Sequence, residues 1–424
     1  MLGSLPRTLH ALGLSLTLLA ACQSSPTTSP RPEKAKSVAF RPGSDATAVV
    51  APAFEPGDAA RGKSLVGEFE CHRCHSGTGQ PPARLDQDCV GCHEQIATDK
   101  FRAAPSKLAK WKPHIQPYRD VPSLGELGKR LRPAWVRDYL LHPHDLRPNL
   151  AQNMPRLAIS TDQATDIATY LTAVEGPAPS VPVSAAPAHV ARGKELLTER
   201  GCVGCHRVSG AGLSEPPRTE PAPRTLGLAP DLRFARERSE PAAISRWLTD
   251  PTQVKHDTAM PNLHLAADDV RDLTAFLSFG ELAPPPRAEP ALRLPVLERR
   301  VGFDEVNERV FAVTCRHCHT NPDSAGGDGG PGNTGGFGFK PRKIDFSSYQ
   351  GIQSGGVDAR GERVSLFAPT KEGVPLLVAA LLARGRETLG RESEEVRGMP
   401  LGLPPLSAEQ IQLVESWVAQ GRPL

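Results

Sequence analysis

Four pentapeptides in this chain can carry out the same piece of chemistry. Cys71-His72-Arg73-Cys74-His75 is followed, fourteen residues beyond its last histidine, by the start of Cys89-Val90-Gly91-Cys92-His93. The pattern returns at Cys202-Val203-Gly204-Cys205-His206 and at Cys315-Arg316-His317-Cys318-His319. Two thiols three residues apart on one turn can add across the two vinyl groups of a single porphyrin, and the histidine after the second thiol then reaches the iron from the proximal side. A single Cys-x-x-Cys could equally be a redox dithiol or half of a zinc site. Four such runs, each with a trailing histidine and together using eight of the nine cysteines, point instead to four covalently held haems c with His75, His93, His206 and His319 on the irons.

An iron held by a proximal histidine offers its opposite face to a second ligand, and a thioether there favours the ferrous state and raises the potential. Apart from Met1 the chain has only Met154, Met260 and Met399, and each precedes a proline. We pair His206 with Met260 and His319 with Met399. Two haems compete for Met154: the repeat aligns Cys71 with Cys202 and favours His75, whereas spacing favours His93, which lies 61 residues before Met154 against 54 between His206 and Met260. For the iron left over, expected to be that of His93, His114 in Trp111-Lys112-Pro113-His114-Ile115 is the nearest downstream histidine. His142 and His144 are further candidates, and an open iron is the remaining alternative. His72 and His317 occupy the freely varying middle of their runs and read as bystanders, while His189, His256 and His264 read as surface residues.

The elements that must position these groups repeat. Asp58-Ala59-Ala60-Arg61-Gly62-Lys63 opens a helix that runs into Cys71 with Leu65, Val66 and Phe69 on one side, and Ala191-Arg192-Gly193-Lys194 stands at the same distance from Cys202. A helix from Pro133 to Leu141 leads to Met154-Pro155, as one from Ala242 to Leu248 leads to Met260-Pro261. An amphipathic helix follows each Met-Pro. Ser160 with Gln163 and Ser407 with Gln410 form capping boxes for the first and third, and Gly280 ends the second. Pro-rich spacers at 176–187 and 283–295 divide the chain into a dihaem domain at 54–176, a monohaem domain at 188–282 and another at 298–424. The glycine-rich run 326–338 lacks the Lys-Ser/Thr ending of a phosphate loop and reads as a loop that lets backbone come close to a haem or partner.

This order of helix, haem run, loop, Met-Pro and closing helix resembles class I cytochrome c, and the whole resembles a tetrahaem c-type cytochrome built of three such domains in tandem. The resemblance implies an all-α fold in which the first and last helices of each domain pack together beside the haem. It departs from the pattern in the first domain, whose loop holds a second haem run, and in the third, with its glycine-rich stretch.

The N-terminus adds a location. Arg7 precedes an apolar run from Ala11 to Leu19, and Leu19-Ala20-Ala21-Cys22 resembles a bacterial lipoprotein signal with Cys22 as the lipidated residue. The signal would occupy 1–21, and 22–53, rich in Ser, Thr, Pro and Ala, reads as a disordered tether. The expected location is the periplasmic side of a bacterial membrane. A formal charge of +3 predicts no particular partner, and with no nucleic-acid motif in the chain no nucleic-acid partner is expected. The expected role is electron transfer between redox proteins such as a quinol-oxidising complex, a periplasmic dehydrogenase or a terminal acceptor. The alternative is a haem enzyme that uses one open iron for peroxide or small oxyanion chemistry.

Overall fold

The helices begin and end where local chemistry dictates. In the computed structural model the first, Ala59–Glu68, is capped by Asp58, whose carboxylate accepts from the Ala60 and Arg61 amides. Pro133–Leu141 and Pro241–Thr249 start on proline, whose missing N–H is not needed in a first turn. The closing helices Thr161–Leu171 and Ala408–Ala419 carry both reciprocal bonds of their capping boxes, Ser160 with Gln163 and Ser407 with Gln410. The structure describes residues 54–424 except 86, 116–119, 145, 151–152, 174–182, 218–221, 285–288, 290–291, 321–341 and 359, all within the compact unit Ala46–Leu424. The expected leader 1–21, Cys22, the tether to 53, part of both spacers and the glycine-rich run 326–338 lie outside the described residues, as does the His114 side chain.

Buried apolar side chains gather into four groups. One joins the leading helix Ala59–Glu68 to the closing helix Thr161–Leu171 through Leu65, Val66 and Ile167, with Met154 and Cys71 packed against it. A second joins Pro187–Glu199 to Ala267–Phe279 through Leu196, Leu197, Leu273 and Phe276, with Met260 and Cys202 at its edge. The third holds Val306, Val310, Phe311, Leu413, Val414 and Trp417, with Met399 and Cys315 against it. The fourth is small: Ile96, Leu108 and Ile115, with Cys92, Phe101 and Trp111 around them. It makes residues 89–115 a lobe apart from the first core. Three buried side chains are too few to order a lobe of this length unaided, given an ordering cost of about 1–2 kcal/mol per residue.

Each of the first three groups, with its leading and closing helix, is termed a module, and in the first two the helices cross at glycine. A Cβ on Gly62 would lie 2.1 Å from the Asp166 carbonyl oxygen and 2.9 Å from Tyr170 Cβ, and one on Gly193 would lie 2.0 Å from the Asp272 oxygen and 2.7 Å from Phe276 Cβ. The third module differs. Val306 stands nine residues before Cys315, where Gly62 and Gly193 stand nine before Cys71 and Cys202. Its leading helix, Phe303–Val306, widens into a π-helix over Asn307–Cys315, with the Arg316 amide donating to the Phe311 carbonyl at 2.8 Å.

The described part is mostly helical, as expected for an all-α fold. A small departure is the antiparallel ribbon of Gly356–Val357 with Arg363–Val364 in the third module. Backbone bonds join the first module to the second: the Arg132 amide donates to the Arg238 carbonyl at 2.7 Å and the Asp231 amide to Leu146 at 2.9 Å. Arg156 reaches from the first module to the Ser393 carbonyl of the third at 2.9 Å. Among the described residues no helix is long and apolar enough to cross a membrane.

Candidate haem-attachment sites

Each Cys-x-x-Cys-His run is wound so that its three reactive side chains share a side. The His75, His206 and His319 amides donate to the carbonyls of Cys71, Cys202 and Cys315 at 2.9, 2.8 and 3.0 Å, closing one turn. The second run reaches the same result within the helix Cys89–Ala97, whose cap Asp88 accepts from the Gly91 amide at 2.7 Å. There Cys89, Cys92 and His93, at i, i+3 and i+4, lie on one face.

Two of the histidines are oriented by backbone. His75 Nδ1 donates to the Pro122 carbonyl at 2.7 Å and His206 Nδ1 to the Pro230 carbonyl at 2.8 Å. With the proton fixed on Nδ1, the Nε2 lone pair is left for a metal. Burial lowers both pKa values, with the carbonyls opposing it, so both rings are neutral near pH 7 as ligation requires. Burial takes His93 down to about 4, helped by His317. His319 packs its ring against Phe346 at 5.8 Å.

The methionines fall on separate cores. Met154 shares the core of Cys71, and the lobe around Cys92 holds no methionine among its described residues. Met260 accepts at Sδ from the Trp247 indole N–H at 3.0 Å, which orients the thioether and leaves its other lone pair free. Met399 is held by its backbone, its amide donating to the Ala380 carbonyl at 2.9 Å.

Three of the four runs converge. The Cys74 and Cys89 thiols are hydrogen-bonded, a bond that, with Arg73 nearby, takes Cys89 down to about 7 and pushes Cys74 up. Cys89 also lies close enough to raise the Cys318 thiol, though burial is the larger cause. The His93 and His317 rings are neighbours, with centroids 6.1 Å apart and planes tilted by 39°. The run at Cys202 sits in the second module's own core.

Between the first two modules Arg130, Arg147 and Arg238 approach one another. Burial, then the charges of Arg147 and Arg130, take Arg238 down to about 10. Cations held together in this way suit anionic groups, and the propionates of haem are the anions a c-type site would bring. Thiol pairs on one turn, oriented neutral imidazoles, thioethers at core edges and gathered guanidiniums together fit haem c. Among the described residues no group of three or more His, Cys, Asp or Glu side chains is placed to hold a metal ion.

The other histidines have different surroundings. His142 pairs with Glu392 at 2.9 Å, and His144 packs between Tyr139 and Phe234. His189, expected to be a surface residue, is partly exposed and bonds to the buried Asp272 at 2.7 Å. The backbone at His114 closes the short turn Lys112–His114. The sequence reading missed Pro122, Pro230, Trp247 and the arginine group. Only the prolines downstream of two haem runs hinted at them, and their part is played by backbone oxygen.

No curated protein and no solved structure matches the chain. The family model described as Cytochrome c matches residues 190–279, from the leading helix of the second module to the end of its closing helix. The chain therefore contains a cytochrome c domain, which supports a c-type cytochrome with covalently bound haem and a part in electron transfer.

Proposed function

We propose that the protein is a tetrahaem c-type cytochrome of three tandem modules, 54–176, 188–282 and 298–424, tethered through Cys22 to the periplasmic side of a bacterial membrane. It carries electrons between redox proteins, with a quinol-oxidising complex or periplasmic dehydrogenase as donor and a terminal acceptor beyond. Haem c supplies reversible one-electron exchange at its iron; the chain supplies attachment, ligands, burial and spacing. Cys71 with Cys74, Cys89 with Cys92, Cys202 with Cys205 and Cys315 with Cys318 hold the four groups. His75, His93, His206 and His319 bind from one side. Met154 serves the His75 iron, because it shares a core with Cys71 rather than with Cys92, and Met260 and Met399 serve those of His206 and His319.

The observation that carries this reading is the convergence of three haem runs, with the Cys74 and Cys89 thiols adjacent and the His93 and His317 rings side by side. Sites so close suit relay between centres better than a single isolated reaction site. Low-temperature EPR of the oxidised protein, with a carbon monoxide difference spectrum of the reduced form, tests it. Four low-spin irons and no carbon monoxide uptake are expected. One high-spin iron that takes up carbon monoxide would favour a haem enzyme instead.

A further inference from the structure

Resting on the tetrahaem reading, we propose that His317, inside the fourth Cys-x-x-Cys-His run, is the sixth ligand of the haem held by Cys89, Cys92 and His93. The lobe that carries this haem run has no methionine of its own among the described residues, and each of the three methionines packs on a different core. The lobe's own candidate for the sixth ligand, His114, has its side chain outside the described residues.

His317 is placed to supply it. In a run wound as a single turn, Cys315, Cys318 and His319 share one side, so the residue two places after Cys315 is directed to the other. There its ring lies beside that of His93, with centroids 6.1 Å apart and planes inclined by 39°. A metal–imidazole bond is about 2.0 Å and the ring centre lies about 1 Å beyond the nitrogen, so two imidazoles across one metal have centroids roughly 6 Å apart. Their planes are free to twist about the common axis. His142 and His144 are engaged with Glu392 and with Tyr139 and Phe234.

One consequence is an order of sites that differs from the order in the chain. His317 and Cys318 are consecutive, so one peptide bond joins a ligand of the second site to an attachment point of the fourth. The second and fourth sites are direct neighbours, and the third lies apart in the second module.

His317→Ala in the full-length, haem-loaded protein tests this, with haem-peptide mass mapping alongside EPR. The expected result is four attached haems, with one iron in four turned high-spin, binding carbon monoxide and returning to low-spin on addition of imidazole. His317→Met should keep four low-spin irons while its near-infrared magnetic circular dichroism exchanges a bis-imidazole signature for a fourth His/Met one, so it decides the matter if the alanine variant fails to mature. Four low-spin irons in His317→Ala, or the spin change in His114→Ala instead, overturns the assignment and leaves the tetrahaem reading intact. A wild-type Cys89–Cys92 peptide without haem would overturn both.

Discussion

The second and third modules face the same task, holding a leading helix across a closing one beside a haem run, and they meet it with different chemistry. In the second, Gly193 lets the backbones approach until a Cβ would lie 2.0 Å from the Asp272 oxygen. Asp272, buried on the closing helix, accepts from His189 at 2.7 Å and from Arg271 at 2.8 Å. The first module repeats this with Gly62 and with Asp166, which accepts from the Asp58 amide at 2.8 Å and from Arg61. In the third, Val306 replaces the glycine and Leu413 stands at the position of the aspartate. Trp417 takes the place of Tyr170 and Phe276. It is fully buried, with Phe303, Phe311, Tyr349 and Phe367 at centroid distances of 5.7 to 6.3 Å. A close polar crossing and a wider apolar one thus carry the same motif, which shows that what the motif demands is a rigid crossing rather than any one contact.

Four measurements would break or sharpen that contrast. The largest effect is expected from Trp417→Ala, about 3–5 kcal/mol lost in chemical unfolding of the third module, because the ring is the hub of its apolar crossing. A loss below 1 kcal/mol would mean that the aromatic group does not hold the helices. Next comes Gly193→Val, which places a branched side chain against a backbone that cannot give way. We expect about 3 kcal/mol of destabilisation and poor haem loading at Cys202 and Cys205 by peptide mass mapping, whereas Val306→Ala should leave loading at Cys315 intact. Equal loading losses at both positions would erase the distinction.

The third measurement uses pH. Hydrogen bonds from Arg61 to Asp166, and from Arg271 and then His189 to Asp272, hold both carboxyls below the ordinary carboxylate range. A depressed folded pKa contributes stability that is present above the unfolded value and lost as pH falls through the folded one, here below about pH 4. Protection factors of the amides in Thr161–Leu171 and Ala267–Phe279, referred to intrinsic rates at each pH, should therefore fall on acidification before those in Ala408–Ala419. Asp272→Leu should remove this pH dependence in its own helix, and a persisting dependence would place its origin elsewhere. The smallest effect is Trp247→Phe, which deletes the indole donor to Met260 Sδ and should modestly lower the potential of one haem in spectroelectrochemical titration, leaving the irons low-spin.

Much of the fold is legible locally. Capping boxes, proline starts and apolar spacing act within four or five residues, so Ser160 with Gln163, Ser407 with Gln410 and the Pro133–Leu141 helix stand where the sequence places them. What escaped acts across long separations. The Arg-Gly-Lys repeat is plain as a pattern, but the role of its glycine depends on a carbonyl over a hundred positions on at Asp166. Pro122 and Pro230 act through oxygens that every residue possesses. His317 looks interchangeable within its run, and only the fold brings His93 beside it.

The lobe that carries Cys89 is joined to its module in an unusual way. The Leu124 amide donates to the Ser76 carbonyl at 2.9 Å, and the Ser123 hydroxyl donates to the same oxygen at 3.3 Å, so the chain departs and returns at one point. A segment closed at its neck can be inserted or deleted at an exposed turn without rethreading what remains. By heredity, then, the number of redox centres in such a protein is free to change through one duplication within a loop, and each gain leaves the older sites in place to receive it.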